Sequence, residues 1–160
     1  MDNNIDIKIK KMGMEHLDEV FEIEKNSFSS PWSKESLKKD LTENKHAVYL
    51  VALNDNKVVG YAGMWHIVNE GHITNVAVCE NHRRMGIGGK IVAELINLAK
   101  GLEMAGITLE VRINNLAAQR MYTKFGFRPE GFRKNYYTDT GEDAVIMWKW
   151  FEEKRINNDK

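Results

Sequence analysis

A glycine-rich segment between an apolar run and a helical pattern limits most strongly what this chain can fold into. The segment is Arg83-Arg84-Met85-Gly86-Ile87-Gly88-Gly89; it follows the apolar run 73–78 and precedes a periodic helical pattern over 90–102. A strand that turns into a helix here leaves the first N–H groups of the helix without intrahelical partners, at the positive end of the helix dipole. Glycines let a phosphate approach that backbone closely, and two arginines add charge. The segment therefore predicts a loop that binds a phosphate or pyrophosphate.

The spacing of the glycines decides between classes of phosphate loop. A Walker loop is excluded because Lys90 is followed by Ile91 instead of Ser or Thr, and the dinucleotide fingerprint G-x-G-x-x-G begins at Gly86 and Gly88 but fails at Ile91. The remaining pattern, Arg-x-x-Gly-x-Gly after a strand, resembles the acetyl-CoA pyrophosphate loop of the GCN5-related N-acetyltransferases (GNAT superfamily). A plain turn between a strand and a helix is the alternative. The resemblance implies that the pyrophosphate is held by Arg84, Met85, Gly86, Ile87, Gly88 and Gly89.

Length and composition predict a single domain over residues 1–160. Of the 160 residues, 42% are hydrophobic and 29% are charged, so the chain can bury a core without disulfides or metals. Acidic and basic residues number 23 each, and this balance argues against a general nucleic-acid or membrane-surface binder. The single cysteine, Cys79, excludes an internal disulfide and a cysteine-rich zinc site.

No segment of the sequence is typical of export or membrane insertion. No apolar run approaches the ~20 residues that cross a bilayer. The start of the chain, Met1-Asp2-Asn3-Asn4, lacks the charged-then-apolar layout of a secretory signal. We therefore expect an intracellular, cytoplasmic protein.

Hydrophobic periodicity and turn residues predict the order β-α-α-β-β-β-α-β-α-β-β. The predicted strands are 5–9, 46–53, 57–66, 72–78, 107–111, 128–137 and 144–150, and the predicted helices are 15–25, 33–41, 90–102 and a short one that Asn114 or Asn115 caps and Gly126 ends. This order predicts an α+β layered fold. It is also the order of the GNAT fold, and the resemblance implies a mixed, mostly antiparallel seven-stranded sheet with about four helices.

Two residues in the last third of the chain could act as base and acid when an acyl group is transferred from a thioester to an amine. Glu110 lies inside the apolar strand 107–113, so its side chain points away from those of its neighbours. A solvent-facing glutamate paired with Arg112 is the alternative. Tyr122 lies on the following helix, where simple core packing is the alternative. Glutamate and tyrosine can serve as base and acid here because an α-amine and a thiol both titrate near pH 8.

Several longer motifs resemble the RimI family of ribosomal-protein-alanine N-acetyltransferases. They are Pro31-Trp32-Ser33, Leu109-Glu110-Val111-Arg112, Asn114-Asn115, Met121-Tyr122, Phe125-Gly126-Phe127, Arg133-Lys134-Asn135-Tyr136-Tyr137 and Glu142-Asp143-Ala144. RimI-like enzymes acetylate the N-terminal alanine of a small-subunit ribosomal protein. The resemblance implies that Glu110 is the proton acceptor and that Tyr122 is the proton donor. It also implies acetyl-CoA as the acetyl donor, with contacts from Val76, Ala77, Val78 and Asn115.

The histidines, the cysteine and three aromatic residues give weaker indications of function. His66, His72 and His82 lack metal-ligand spacing, so we expect no metal site and histidines that face solvent or form local hydrogen bonds. No histidine can be assigned as a partner of Cys79 from the sequence, although His82 is close to it. The loops that contain Trp32, Tyr136 and Tyr137 resemble those that line the peptide groove of the family.

Two other functions remain open at this point. One is acetylation of small amines such as a polyamine, an amino acid or a drug. The other is a non-catalytic acyl-CoA-binding sensor, which has no need of Glu110 or Tyr122. The sequence predicts a ribosomal-protein N-terminus as the protein partner, no direct contact with nucleic acid or membrane, and no particular oligomeric state.

Overall fold

The computed structural model describes residues 6–151, which form seven strands and four α-helices. The strands are β1 (Ile7–Lys11), β2 (Ala47–Asn54), β3 (Lys57–Ile67), β4 (Glu70–Val78), β5 (Gly106–Arg112), β6 (Arg128–Tyr137) and β7 (Glu142–Trp150). The helices are α1 (Leu17–Ser27), α2 (Lys34–Glu43), α3 (Ile87–Gly101) and α4 (Leu116–Lys124). The first strand was expected from Ile5, which lies outside the described residues.

The strands follow the order β1-β2-β3-β4-β5-β7-β6 in one mixed sheet. β4 and β5 are parallel over three residue pairs that end at His72 and Thr108. The pairs β1–β2, β2–β3, β5–β7 and β6–β7 are antiparallel. The expected α+β fold, with seven mostly antiparallel strands and four helices, is confirmed.

Within this order the chain divides into two compact units. The first comprises the described residues up to Trp65 together with Thr74–Leu95. The second comprises His66–Ile73 together with the described residues from Ile96 onward. The glycine-rich loop therefore belongs to the first unit, whereas Glu110 and Tyr122 belong to the second.

The core of the first unit forms where α1 and α2 pack on β2 and β3. Its buried members are Met12, Leu17, Val20, Ile23, Leu37, Tyr49, Val51, Leu53, Val58, Tyr61 and Ala77. On α1 the Ile23 side chain is buried, whereas Phe21 is only partly covered. Glu24 lies on the buried face of α1, where it is 1% exposed.

In the second unit, β5 shows the alternation that orients its polar residues. Ile107, Leu109 and Val111 are buried, and the residues between them are half-buried. Because successive side chains of a strand point to opposite faces, Glu110 lies on the face opposite to that core. Phe127 and Met147 complete the buried side.

The residues at the N-termini of α2, α3 and α4 determine where these helices begin. Ser33 caps α2, and its hydroxyl accepts a hydrogen bond from the Ser36 N–H at 3.1 Å, as its sequence position predicts. Asn115, and not Asn114, caps α4. α3 begins at Ile87, before the expected Lys90, so Gly88 and Gly89 lie in its first turn. Among the described residues, no helix combines the length and apolarity needed to cross a membrane.

Candidate active site

The glycine-rich loop has the backbone conformation of an anion-binding turn. Arg84 and Gly86 both have positive φ, 65° and 78°, so the chain turns sharply before α3 begins at Ile87. The Ile87 side chain is buried and fixes the start of the helix. A Cβ atom placed on Gly86 would meet nothing within 4 Å, which shows open space beside this backbone. The free N–H groups of the first helical turn lie next to that space, so the loop fits a pyrophosphate.

The two arginines of the loop differ in their contacts. Arg83 Nε donates to the carbonyl oxygen of Val78 at 3.0 Å, and its Nη2 lies 3.5 Å from the Ser27 hydroxyl. Within the described residues, the guanidinium of Arg84 has no hydrogen-bond or ion-pair partner, and Arg84 is exposed. Arg83 therefore braces the loop against the end of β4, and Arg84 is the cation available to a ligand.

The last residues of β4 combine core packing with accessible backbone. Ala77 is buried in the core of the first unit, while Val76 and Val78 are half-buried on the other face of the strand. Their predicted contacts with the acetyl donor are backbone contacts, which this arrangement permits. Met85 is exposed, so its predicted contact is also through the backbone.

Replacing Gly86 by alanine is expected to weaken the binding of acetyl-CoA. The new side chain has room, but a φ of 78° costs about 1–2 kcal/mol for a residue with a Cβ atom. The loop then relaxes toward negative φ and its N–H groups turn away from the ligand. Isothermal titration should show a roughly 5- to 30-fold larger dissociation constant, the ratio that 1–2 kcal/mol corresponds to.

Gly101→Ala is the matched control for this experiment. A Cβ atom at Gly101 also meets nothing within 4 Å, but Gly101 has no positive φ. Its affinity for acetyl-CoA should equal that of the wild type. Equal affinities for the two variants would contradict the role given to the backbone of the loop.

In the second unit, Glu110 is held between two basic side chains. His72 Nε2 lies 2.7 Å from Glu110 Oε1, and Arg133 Nε donates to Oε2 at 3.4 Å. The Glu110 side chain is 9% exposed. The hydrogen bond from His72 lowers the pKa of Glu110; burial opposes this shift, and Arg133 adds to it. Glu110 therefore remains a carboxylate at neutral pH.

Arg112, the alternative partner of Glu110 on the same strand, binds elsewhere. Its guanidinium pairs with Asp139 at 2.9 Å and with Glu142 at 3.1 Å. It also stacks over the Tyr137 ring, 4.1 Å from the ring centroid. The interpretation of Glu110 as a solvent-facing partner of Arg112 is therefore wrong, and Arg112 instead holds the β6–β7 turn.

His72 is the site residue that sequence reasoning missed. It was expected to face solvent or to bond locally, but its partner is 38 positions away in the sequence. The contact depends on the parallel register that pairs His72 with Thr108, and this register cannot be read from either strand alone. The available signal was the position of His72 at the start of an alternating strand.

Tyr122 is buried on α4 against Phe127, with the ring centroids 5.5 Å apart in an edge-to-face contact. Burial raises the pKa of Tyr122, and the nearby Tyr137 adds to the increase. The phenol therefore keeps its proton at neutral pH. Within the described residues its hydroxyl accepts and donates no hydrogen bond, so its proton is available for donation.

Asn115 has a structural contact that its predicted role did not include. Its Oδ1 accepts a hydrogen bond from the Ala118 N–H at 3.1 Å and so caps α4. The side-chain amide nitrogen is left for a ligand. A contact between Asn115 and acetyl-CoA stays a prediction, and if it forms it uses that nitrogen.

Aromatic residues predicted at the peptide groove occur in both units. In the first unit, Trp32 packs near Trp65 with ring centroids 6.3 Å apart. In the second unit, Tyr136 and Tyr137 form an edge-to-face pair at 5.0 Å, and Tyr136 is exposed. The exposed ring of Tyr136 suits contact with a peptide. Contact of these aromatic residues with a peptide stays a prediction.

Cys79 has the histidine partner that could not be assigned from the sequence. Its Sγ lies 3.1 Å from Nδ1 of His82, and Nε2 of His82 lies 3.5 Å from the Asn54 amide nitrogen. The partner that the sequence left unassigned is therefore His82. Cys79 also packs against the core of the first unit, where its small side chain fills space. The described residues contain no group of three or more ligands suited to a metal ion.

Comparison with known proteins decides the family. The model of the acetyltransferase (GNAT) family matches residues 17–127. The chain belongs to the acetyltransferase (GNAT) family. This GNAT chain is 44% identical, over 140 residues, to a Bacillus subtilis protein that is named provisionally as a ribosomal protein bS18-alanine N-acetyltransferase. That match covers 88% of this chain and 93% of the relative.

An enzyme of Escherichia coli supports the same relationship in sequence and in structure. The E. coli ribosomal protein bS18-alanine N-acetyltransferase is 33% identical over 132 residues, which cover 80% of this GNAT chain and 86% of the relative. The crystal structure of the E. coli ribosomal-protein-S18-alanine N-acetyltransferase superposes with a TM-score of 0.84 at 27% identity. This superposition covers 91% of this chain and 94% of that one. The predicted resemblance to the GNAT superfamily and to RimI-type enzymes is confirmed.

Proposed function

We propose that this GNAT chain, acting as one domain over residues 1–160, transfers acetyl from acetyl-CoA to the α-amine of an N-terminal alanine of a small-subunit ribosomal protein. The observation that carries the proposal is the carboxylate of Glu110, held ionised by His72 and Arg133 on the strand where the RimI resemblance expects a base. The relatives named for this reaction at 44% and 33% identity support the choice of substrate.

The residues of the first unit fit the acetyl donor. Acetyl-CoA supplies an activated acetyl group as a thioester. The loop 84–89 offers the first N–H groups of α3, a free guanidinium and open space beside Gly86 for a pyrophosphate. Backbone groups of 76–78 would hold the acetyl and pantetheine portion, and the family resemblance also implies a contact from Asn115.

In the proposed mechanism the chain moves two protons and stabilises one developing charge. Glu110 acts as the proton acceptor for the substrate amine, directly or through a water, so that the nitrogen lone pair can attack the carbonyl carbon. A backbone N–H near Val78 donates to the carbonyl oxygen, where negative charge develops. The carbon–sulfur bond breaks with its electron pair on sulfur, and Tyr122 gives its proton to that sulfur. The second proton lost by the acylated nitrogen passes to solvent, from which Tyr122 regains a proton. Transfer is direct, with amine and donor bound together, and uses no acyl-cysteine.

Replacing Tyr122 by phenylalanine is expected to slow turnover about 10²-fold, within the range for a general acid. The ring and its contact with Phe127 remain, so the fold and the affinity for acetyl-CoA should not change. The measurement is kcat from released thiol at saturating acetyl-CoA. Thr123→Val removes a hydroxyl from an exposed position of the same helix and is the matched control for kcat. Wild-type turnover in Tyr122→Phe would remove the role of proton donor.

A competition assay separates this proposal from the two other functions. Peptides that differ only in the first residue, and a set of small amines, compete for acetyl groups from limiting acetyl-CoA. Preferential acetylation of the alanine-starting peptide is expected. Acetylation of small amines alone would favour a small-amine acetyltransferase, and CoA binding without any transfer would favour a sensor.

The ribosomal substrate implies a cytoplasmic enzyme with no membrane or nucleic-acid partner of its own.

A further inference from the structure

The C-terminal end of β6 departs from regular pairing with β7. The register shifts between Arg133 and Tyr137, where the residues between them lie opposite Asp143 alone. Asn135, in the middle of this segment, has a φ of 52°, and its N–H donates to the Asp143 carboxylate at 2.9 Å. An irregularity of this kind bends a strand and re-aims its side chains. Contacts outside the ladder therefore set the direction of Tyr136, whose ring is exposed.

Arg112 on β5 supplies such contacts at the end of the segment that leads into the β6–β7 turn. Its Nη2 donates to Asp139 Oδ2 at 2.9 Å, and its Nη1 lies 3.1 Å from Glu142 Oε1 and from Asp139 Oδ1. The guanidinium also stacks over the Tyr137 ring. A planar guanidinium can form a two-pronged ion pair and stack on an aromatic face at the same time. One side chain of β5 therefore holds both the end of β6 and the turn that follows it.

The other end of the segment is fixed to the proposed proton acceptor. Arg133 Nε donates to Glu110 Oε2 at 3.4 Å, and the Arg133 guanidinium lies 6.0 Å from the centroid of the Tyr136 ring. Glu110 and Arg112 are two positions apart on β5, so their side chains point to the same face of the sheet. The edge-to-face pair of Tyr136 and Tyr137 therefore has an arginine over each ring and lies beside Glu110.

We propose that Arg112 is a positioning residue for the acceptor peptide, so this inference rests on the proposed function. By holding the β6–β7 turn and the Tyr137 ring, Arg112 fixes the Tyr136–Tyr137 pair as a wall along which the peptide lies beyond its first residue. Tyrosine rings suit this use because they offer a large apolar face with a polar tip. Arg112 itself touches neither the peptide nor the acetyl donor. Loss of its contacts weakens peptide binding and leaves the proton transfers of Glu110 and Tyr122 in place.

The test is the variant Arg112→Lys, assayed with an alanine-starting peptide at saturating acetyl-CoA. Lysine keeps the positive charge, but it has no planar fork for Asp139 and no flat face for Tyr137. We expect KM for the peptide to rise about 10- to 10²-fold, the cost of a misplaced binding surface, with kcat within about twofold of the wild type. Arg128→Lys makes the same change on an exposed arginine at the other end of β6 and should match the wild type in both constants.

Asp139→Asn tests whether Arg112 acts through the turn. The amide removes the charge of one ion-pair partner and keeps the size of the side chain, so KM for the peptide should rise here too. Residues that act through one contact are not additive. The double variant should therefore show a rise in KM well below the product of the two single effects. Effects that multiply would overturn the inference.

Hydrogen exchange of the free protein gives a readout that does not depend on activity. The Gly141 N–H donates to the Tyr137 carbonyl across the turn at 2.7 Å. In Arg112→Lys it should exchange faster, whereas the amide of the buried Leu95 on α3 should exchange at the wild-type rate. Unchanged exchange at Gly141 would overturn the inference.

The kinetic outcomes separate this inference from the proposed function. An unchanged KM for the peptide in Arg112→Lys would overturn the positioning role. A fall in kcat at an unchanged KM would overturn it as well, because it indicates damage to the chemistry or to the fold. If the wild type acetylates no amine at all, the proposed function fails, and the exchange rates still test the hold of Arg112 on the turn.

Discussion

Replacing Glu110 by glutamine is expected to lower kcat by a factor of about 10²–10⁴, the usual contribution of a general acid–base group. The amide keeps the size of the side chain, and its one carbonyl oxygen can still accept from either His72 or Arg133. It carries no negative charge, so it cannot take up a proton from the substrate amine. The measurement is thiol release at saturating acetyl-CoA, together with the dissociation constant of CoA, which should not change.

The design of this experiment separates chemistry from folding and binding. Glu94→Gln makes the same change on an exposed position of α3 and should leave kcat at the wild-type value. A fall in kcat for Glu110→Gln with intact CoA binding assigns the loss to the chemical step. Wild-type kcat in Glu110→Gln would contradict the role of proton acceptor proposed for Glu110.

Replacing Glu24 by alanine is expected to lower the free energy of unfolding by about 3–5 kcal/mol, since each buried donor left without a partner costs about 1–3 kcal/mol. Oε1 of Glu24 accepts from the Tyr61 hydroxyl and from the Asn75 amide, and Oε2 accepts from the Trp32 N–H at 2.9 Å. Alanine leaves all three donors without this acceptor, and the two on Tyr61 and Asn75 are buried. Urea unfolding, followed by circular dichroism, measures the change.

Glu22→Ala is the matched control on the same helix. Glu22 is 59% exposed, and among residues 6–151 it pairs only with Lys25, at 3.2 Å. Exposed pairs of this kind contribute about 0–1 kcal/mol, so this variant should unfold close to the wild-type midpoint. Equal midpoints for Glu24→Ala and the wild type would show that the cluster around Glu24 does not stabilise the first unit.

The parts of the fold that follow from local chemistry were predictable. The cap at Ser33, the turn through Gly86 and the full span of β6 each depend on neighbouring residues, and the structure has them where the sequence places them. The start of α3 was misplaced because glycines weaken a helical pattern. The first turn nevertheless forms, with the buried Ile87 to anchor it.

The parts that depend on contacts between distant segments were not predictable. Glu24 read as one more position on an amphipathic helix, but its partner Asn75 is 51 positions away. The choice of His72 and Arg133 over Arg112 as partners of Glu110 depends on strand register and on the β6–β7 pairing. The roles proposed for Glu110 and Tyr122 come from the family resemblance, because glutamate on a strand and tyrosine on a helix have no chemical signature of their own.

The most direct test of the central claim uses a peptide with the N-terminal sequence of the small-subunit ribosomal protein bS18, beginning with alanine. The purified chain and acetyl-CoA are incubated with this peptide, and tandem mass spectrometry locates the added mass. The account predicts one acetyl group, on the α-amine of the alanine, and none on a peptide whose α-amine is blocked. Acetylation of lysine side chains, or no acetylation while CoA still binds, would contradict it.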